Sequence, residues 1–109
     1  MLKEIILVAF TAFVSALKQA INPGHYLLLR WEDLGNWFKN WLSLHPAEDE
    51  NSVGFTIQET VKDVKYALVQ GVFNKTTNQI EDARRIHADE VDAEVKEQCF
   101  GKEKITIFS

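Results

Sequence analysis

The hydrophobic and polar positions at the start of the chain predict a helix followed by a break. Residues 5–17 carry no charge, and at about 100° per residue their few polar positions fall on one narrow side. Asn22-Pro23-Gly24 then ends the helix, because proline and glycine together turn the chain. We therefore expect a core helix over residues 5–17, central in the fold or buried in an interface.

Residues 25–44 show a second helical pattern, which ends at His45-Pro46 because the residue before a proline avoids helical geometry. Apolar residues recur at spacings of three and four and form one face. That face consists of Leu27, Trp31, Leu34, Phe38, Trp41 and Leu42. Trp37 and Leu44 lie on its flank, where full burial is less assured, so these two side chains are candidates for contact with a partner.

The rest of the chain predicts shorter elements. A polar loop over residues 47–54 precedes a third helix, whose start is indicated by the capping-box pair Thr56 and Glu59. Residues 66–73 and 79–86 predict a β-hairpin around the polar turn at residues 74–78, while the alternative is one long helix over residues 78–100. A helix over residues 89–100 and a short strand over residues 105–108 follow.

These elements predict one α+β domain over residues 1–109, in which N-terminal helices pack on a small C-terminal antiparallel sheet. The alternative is an all-α bundle, since short apolar runs are difficult to assign to a strand or a helix.

The apolar segment at residues 5–17 also allows two other interpretations. Its length and the small residues Val14 and Ala16 fit a signal peptide over residues 1–16, which would make the protein secreted. A membrane-attached helix is the other alternative, although a single span needs about 20 apolar residues. We expect a cytoplasmic protein without a membrane partner.

Charge is distributed unevenly along the chain, whose formal net charge is −4. Residues 1–44 carry four basic and three acidic side chains, a net of +1, and the remaining 65 residues carry eight and thirteen, a net of −5. A nucleic-acid binder needs clustered Lys and Arg to neutralise phosphates. This distribution therefore argues against a nucleic-acid partner and favours an acidic surface for a basic protein.

Cys99 is the single cysteine, so the chain can form neither an internal disulfide nor a cysteine-based zinc site. Its predicted place near a helix C-terminus is the wrong end of the helix dipole for a reactive thiolate, and we expect a small buried side chain. The histidines have no metal-ligand spacing, and the sequence contains no phosphate-binding glycine loop. We expect neither a metal nor a cofactor.

The only local cluster of proton-transfer groups is His87, Asp89 and Glu90, with Arg84 and Arg85 just before it. On a strand, Arg85 and His87 would share a face and Arg84 would point away. His87 as a general base, with Arg85 as a cationic stabiliser and Asp89 beside it, would suit a small hydrolase or nuclease. Such mixtures of acids and bases are also typical of a solvated surface.

Because no active-site motif is present, we expect a non-catalytic interaction protein. It would be an assembly subunit, a homo-oligomer, or an acidic inhibitor or regulator of a basic partner. The predicted binding surface combines the flank of the aromatic helix with the acidic loop that follows it. Its residues are Trp37, Leu44, Glu48, Asp49 and Glu50. The alternatives are the hydrolase or nuclease and a secreted or membrane-attached protein.

Overall fold

A computed structural model describes residues 2–17 and 22–108, without the side chains of residues 15–17, 48 and 49. The described residues form three α-helices, one 3-10 helix and five β-strands. The α-helices are α1 (Leu2–Leu17), α2 (Trp31–Leu44) and α3 (Ala93–Cys99), and the 3-10 helix spans Pro46–Asn51. The strands are β1 (Pro23–Leu29), β2 (Ser52–Glu59), β3 (Tyr66–Asn74), β4 (Gln79–Val91) and β5 (Ile105–Phe108).

The strands form one sheet in the order β1-β4-β3-β2-β5, so β1 and β5 are its edges. β1 runs parallel to β4, and every other neighbouring pair is antiparallel. α1 packs on one face of the sheet, and α2 and α3 pack on the other. The sheet is therefore the middle of three layers.

The central strands β2 and β3 are buried on both faces, because helices cover both sides of the sheet. Alternate residues of each strand contact α1 from one face, and the residues between them face α2 and α3. The buried cluster on the α1 side consists of Ile6, Val53, Phe55, Ile57, Val69, Phe73, Ile80 and Ile105. The buried residues on the α2 and α3 side are Leu29, Leu34, Phe38, Trp41, Leu68, Val72, Ile86, Ala88, Val95 and Cys99.

Glycines in the two central strands make room for aromatic rings from the neighbouring strands. Gly54 lies opposite Phe108, and a Cβ on Gly54 would be 2.6 Å from that ring. Gly71 lies opposite Phe55, whose ring occupies the space that a Cβ on Gly71 would need. Each pair places one large side chain over a residue without one, which fills the core without a steric clash.

One carboxylate connects the starts of the two helices on the α2 side. Asp92 Oδ1 accepts a 2.8 Å hydrogen bond from the Val95 N–H, and Asp92 Oδ2 accepts a 2.9 Å hydrogen bond from the Trp31 N–H. The first N–H groups of a helix have no partner within the helix, and a negative charge there also interacts favourably with the helix dipole. Asp92 therefore stabilises the N-termini of α2 and α3 together.

The predicted architecture, N-terminal helices on a small C-terminal antiparallel sheet, is wrong. Residues 23–29 form strand β1 where the sequence analysis predicts a break at residues 22–24 and a helix from residue 25. Residues 52–59 form β2 where it predicts a loop and a third helix. The sheet consequently begins before α2, has five strands and contains a parallel pair. The alternative of an all-α bundle is also wrong.

The hairpin of β3 and β4 and the final strand β5 are confirmed, and the long helix over residues 78–100 is excluded. α3 begins four residues later than predicted, because β4 continues to Val91. β5 pairs with β2, which the sequence analysis had not placed in the sheet.

α1 lies on the outside of the fold and is not central. Ile6 is fully buried against the sheet, whereas Val8 is largely exposed and Ile5 partly exposed on the outer side of the helix. Within the described part of the chain, no helix combines the length and the apolar character needed to cross a bilayer.

Candidate functional site

The predicted catalytic residues lie together on β4. Arg85, His87 and Asp89 alternate along the strand and share the face of the sheet on which α1 packs. The sequence analysis predicts the shared face for Arg85 and His87, but it places Asp89 in a helix. Arg84 faces the opposite side, where it contacts Gln70 and Trp37. β4 thus brings the three side chains to one face of the sheet. The hydrogen-bond partners of each side chain determine whether it could take part in catalysis.

The guanidinium of Arg85 is held by Glu59. Arg85 Nε and Nη2 donate to the two carboxylate oxygens of Glu59, at 3.0 and 3.2 Å, and the two side chains are only 19% and 22% exposed. Glu59 lies on β2, so this bidentate pair crosses over β3 near Ala67 and Val69. The pair therefore links β2 to β4, and the guanidinium of Arg85 is bound by the carboxylate of Glu59.

Asp89 is held by a residue from the edge of the sheet. His25 of β1 lies 3.1 Å from Asp89, measured from Nε2 to Oδ1, and both side chains are more than half exposed. The ring of His87 is half-buried and makes no hydrogen bond or ion pair with the described residues. No group of three His, Cys, Asp or Glu side chains suited to a metal ion occurs in residues 2–17 and 22–108.

This arrangement differs from the one that the hydrolase hypothesis needs. The cation and the acid that this hypothesis needs each have another partner, Glu59 and His25, and no hydrogen bond joins either partner to His87 among the described residues. An open cavity beside α1 is lined by Leu7, Phe10, Thr11, residues 57–60 and Lys104, and it contains none of the three candidates. The face therefore carries an arginine–glutamate ion pair and a histidine–aspartate contact, and it does not place a general base beside a free cation.

Arg84 forms the centre of a polar network on the other face. Its Nε donates to Gln70 Oε1 at 2.9 Å, and its Nη1 donates to the Tyr26 hydroxyl at 2.9 Å. The guanidinium also lies over the ring of Trp37, 5.1 Å from its centroid. Trp37, a predicted partner-binding residue, is therefore half-buried against Arg84 and the cluster around Phe38 and Trp41.

The other predicted partner-binding residues lie at the end of α2 and in the 3-10 helix. Leu44 is largely exposed, and so is Glu50. The side chains of Glu48 and Asp49 lie outside the described part of the structure. The structure therefore places Leu44 and Glu50 at the surface and Trp37 partly beneath it.

Cys99 is buried at the end of α3, as the sequence analysis predicts. Burial raises the pKa of its thiol, an effect that the Thr56 hydroxyl opposes by donating to Sγ at 3.5 Å and that the charge of Asp92 reinforces. A raised pKa disfavours the reactive thiolate. The environment of Cys99 is that of a structural residue.

The edge strand β1, most of which the sequence analysis assigns to a helix, carries exposed apolar side chains. Leu27 is 75% exposed and the adjacent Leu28 is 42% exposed. Successive side chains of a strand point to opposite faces, so an apolar side chain is exposed on each side of this edge. β1 pairs with β4 on one side, and no described strand pairs with it on the other.

A signal for this strand was present in the sequence. The Tyr26-Leu27-Leu28-Leu29 run has the length of a strand, follows a Pro-Gly break and contains no charge. The sequence analysis assigns this run to a helix because only Arg30 separates β1 from α2, so the apolar residues of the two elements follow one another directly.

No family model matches the chain, and no significant match is found among curated proteins or solved structures.

Proposed function

We propose that the chain is a non-catalytic protein-interaction module that binds another polypeptide strand along the outer edge of β1. The observation that carries this proposal is the exposure of Leu27 and Leu28 on an edge strand whose outer side pairs with no described strand. A sheet edge offers unpaired N–H and C=O groups, and a strand added there gains main-chain hydrogen bonds as well as side-chain contacts.

Edge strands of natural proteins usually carry features that prevent such pairing, including short length, charged side chains, bulges or a covering segment. The opposite edge, β5, has only four residues, and its Phe108 packs against the rings of Trp31 and Phe38. β1 has seven residues, none of them Lys, Arg, Asp or Glu, and within residues 2–17 and 22–108 the one such feature at this edge is Pro23 at the start. The difference between the two edges favours β1 as the binding edge.

Tyr26 fixes β1 in a form that can accept a partner. Its hydroxyl accepts the hydrogen bond from Arg84, and the Leu29 carbonyl accepts a 3.0 Å hydrogen bond from the Asp92 N–H. The strand is therefore held to the body of the protein at both positions. The backbone of β1 is therefore already extended before a partner strand binds, which lowers the conformational entropy lost on binding.

Hydrogen exchange tests the proposal directly. Purified protein at low concentration is compared with the protein in its native assembly, isolated from its source. We expect the outward N–H groups within residues 24–29 to exchange rapidly in the dilute protein and at least tenfold more slowly in the assembly. A Leu27→Lys variant should lose both the assembly and the slower exchange.

Val8→Lys is the matched control, because Val8 is 72% exposed and lies on α1, away from β1. This variant should retain the assembly, so that a loss in Leu27→Lys cannot be ascribed to removing any exposed apolar side chain. Equal exchange at residues 24–29 in both samples, or an assembly that survives Leu27→Lys, would overturn the proposal.

A further inference from the structure

We infer that the strand bound by β1 is β1 of a second copy, in antiparallel pairing about a two-fold axis at Leu27. This inference rests on the proposed function and names its partner. The two five-stranded sheets would then join into one continuous sheet across the dimer.

The charges around β1 favour a second copy. Each chain has a formal net charge of −4, so two copies repel each other over most of their surfaces. Residues 23–29 contain no Lys, Arg, Asp or Glu. Of the nearby charges, Arg30 is paired with Glu32 at 3.7 Å, and Asp89 lies one strand inside the edge, on β4, where its partner is His25 at 3.1 Å. At β1, two copies can therefore approach without opposing like charges.

An edge strand is also complementary to itself. Rotation about a two-fold axis normal to the sheet places the N–H groups of one copy against the C=O groups of the other. It leaves every side chain on its own face, so only residues an even number of positions apart can be opposite each other. The same surface then serves both partners, as a two-fold interface requires.

The exposed leucines select the register. With the axis at Leu27, this residue lies opposite Leu27 of the second copy, and Leu28 lies opposite Tyr26 of the second copy. Both exposed leucines are then covered by apolar side chains, one on each face of the joined sheet. Cross-strand pairs of this kind stabilise antiparallel sheets. Moving the axis by one residue to Tyr26 would place Leu27 opposite His25 and Leu28 opposite Gly24, and both leucines would lose their apolar partners. Moving it to Leu28 would place Leu27 opposite Leu29, whose side chain is fully buried within its own copy.

The size of the contact sets the expected affinity. Seven residues span about 23 Å, so a pair of strands covers less surface than a standard protein interface. We therefore expect a dissociation constant in the micromolar range and a concentration-dependent mass. Sedimentation equilibrium from about 5 µM to about 500 µM brackets that range. The mass should rise from 12.5 kDa towards twice that value.

Charges placed on the axis test both the partner and the register. Leu27→Lys and Leu27→Glu place like charges directly opposite each other in a self-pair, and each variant alone should remain monomeric. Mixed in equal amounts, they should form a mixed dimer, because opposite charges then face each other. Val8→Lys should dimerise as the unmodified protein does. Leu27 is mostly exposed, so circular dichroism should show that both variants are folded.

Three results would overturn the inference. These are an unmodified protein that stays monomeric throughout the range, a Leu27→Lys variant that dimerises normally, and a mixture of the two variants that stays monomeric although the unmodified protein dimerises. The proposed function can hold even when this inference fails. A monomeric protein whose native assembly with another protein is lost in Leu27→Lys would keep the edge as a binding site and exclude the second copy.

Discussion

The side-chain amide of Gln70 donates a 2.7 Å hydrogen bond to the main-chain carbonyl of Leu34. Gln70 is fully buried in the central strand β3, and its own carbonyl oxygen accepts from Arg84. Its amide group therefore connects the middle of the sheet to α2 on one side and to the arginine of β4 on the other. A buried amide is stable there because it has partners on both of its ends.

Gln70→Leu should lower the free energy of unfolding by about 2–4 kcal/mol. The leucine keeps most of the volume, but it removes the acceptor of Arg84 Nε, which is partly buried, and the side-chain donor to the Leu34 carbonyl. Urea denaturation measures the change. Gln98→Leu, on the exposed side of α3, is the control and should change the unfolding free energy by less than about 0.5 kcal/mol. Equal stability of the two variants would contradict the role of Gln70.

The pair of Arg85 and Glu59 should show a measurable coupling energy. A double-mutant cycle with Arg85→Met and Glu59→Gln isolates the interaction between the two side chains. Because the pair is bidentate and about four-fifths buried, we expect a coupling of about 1–3 kcal/mol, less than for a fully buried pair because water still screens it in part.

Lys65 and Glu90 provide the matched pair for this cycle. Their closest charged atoms are 3.7 Å apart, and both side chains are mostly exposed. Exposed pairs of this kind contribute little, so the cycle with Lys65→Met and Glu90→Gln should give less than about 0.5 kcal/mol. Similar couplings in the two cycles would mean that the link between β2 and β4 is not a structural one.

Asp92→Ala should destabilise α2 and α3 together. The substitution removes acceptors from the Trp31 and Val95 N–H groups, and loss of one N-terminal cap typically costs about 1 kcal/mol. We expect a loss of about 2 kcal/mol in thermal or urea unfolding. Glu94→Ala, which removes a carboxylate from an exposed position in the first turn of α3, should cost less than about 0.5 kcal/mol. A similar effect of the two substitutions would show that charge alone, and not capping, is responsible.

The sequence predicted the hairpin but missed two strands, for different physical reasons. The polar turn at residues 74–78 marks the hairpin locally, and no distant contact is needed to recognise it. β1 was missed because Leu27, Trp31 and Leu34 have helical spacing by coincidence across the junction at Arg30. β2 was missed because both its faces are buried, which removes the alternation of polar and apolar residues that reveals a half-exposed strand.

The candidate site was predictable only in its local part. Once residues 79–91 are a strand, alternation alone places Arg84 and Arg85 on opposite faces. The partners of the predicted catalytic residues could not be inferred, because Glu59 is 26 positions from Arg85 and His25 is 64 positions from Asp89. Those contacts depend on the order of the strands, which the local pattern does not contain. The exposure of the edge at Leu27 could not be predicted for the same reason, because it depends on the position of β1 in the strand order.

Two glycine-to-alanine substitutions should have opposite effects. A Cβ on Gly35, inside α2, would meet no atom within 4 Å, so Gly35→Ala should stabilise the protein by up to about 1 kcal/mol. A Cβ on Gly71 would clash with the Phe55 ring and lie 2.9 Å from the Asp82 carbonyl oxygen. We expect Gly71→Ala to lose about 3 kcal/mol. Thermal unfolding compares them, and a change of the same sign in both would contradict this account of the core.

Cys99 should make the stability of the protein fall in alkaline solution. Burial raises the pKa of its thiol, so the folded state retains the proton at a pH where the unfolded state has lost it. Above the ordinary thiol pKa of about 8.5, the unfolded state binds fewer protons, and the free energy of unfolding therefore decreases as pH rises towards the folded pKa. Below about pH 8, both states carry the proton and the effect disappears.

Cys99→Ala separates this effect from the titration of tyrosines and lysines, which both proteins share. Alanine lacks the thiol, so the variant should be less stable than the unmodified protein at pH 7.5, because of the small cavity, but should lose less stability between pH 7.5 and about pH 10. Urea denaturation at both pH values measures the two differences. A constant difference between the proteins would show that the thiol titrates alike in the folded and unfolded states, which its burial beside Thr56 argues against.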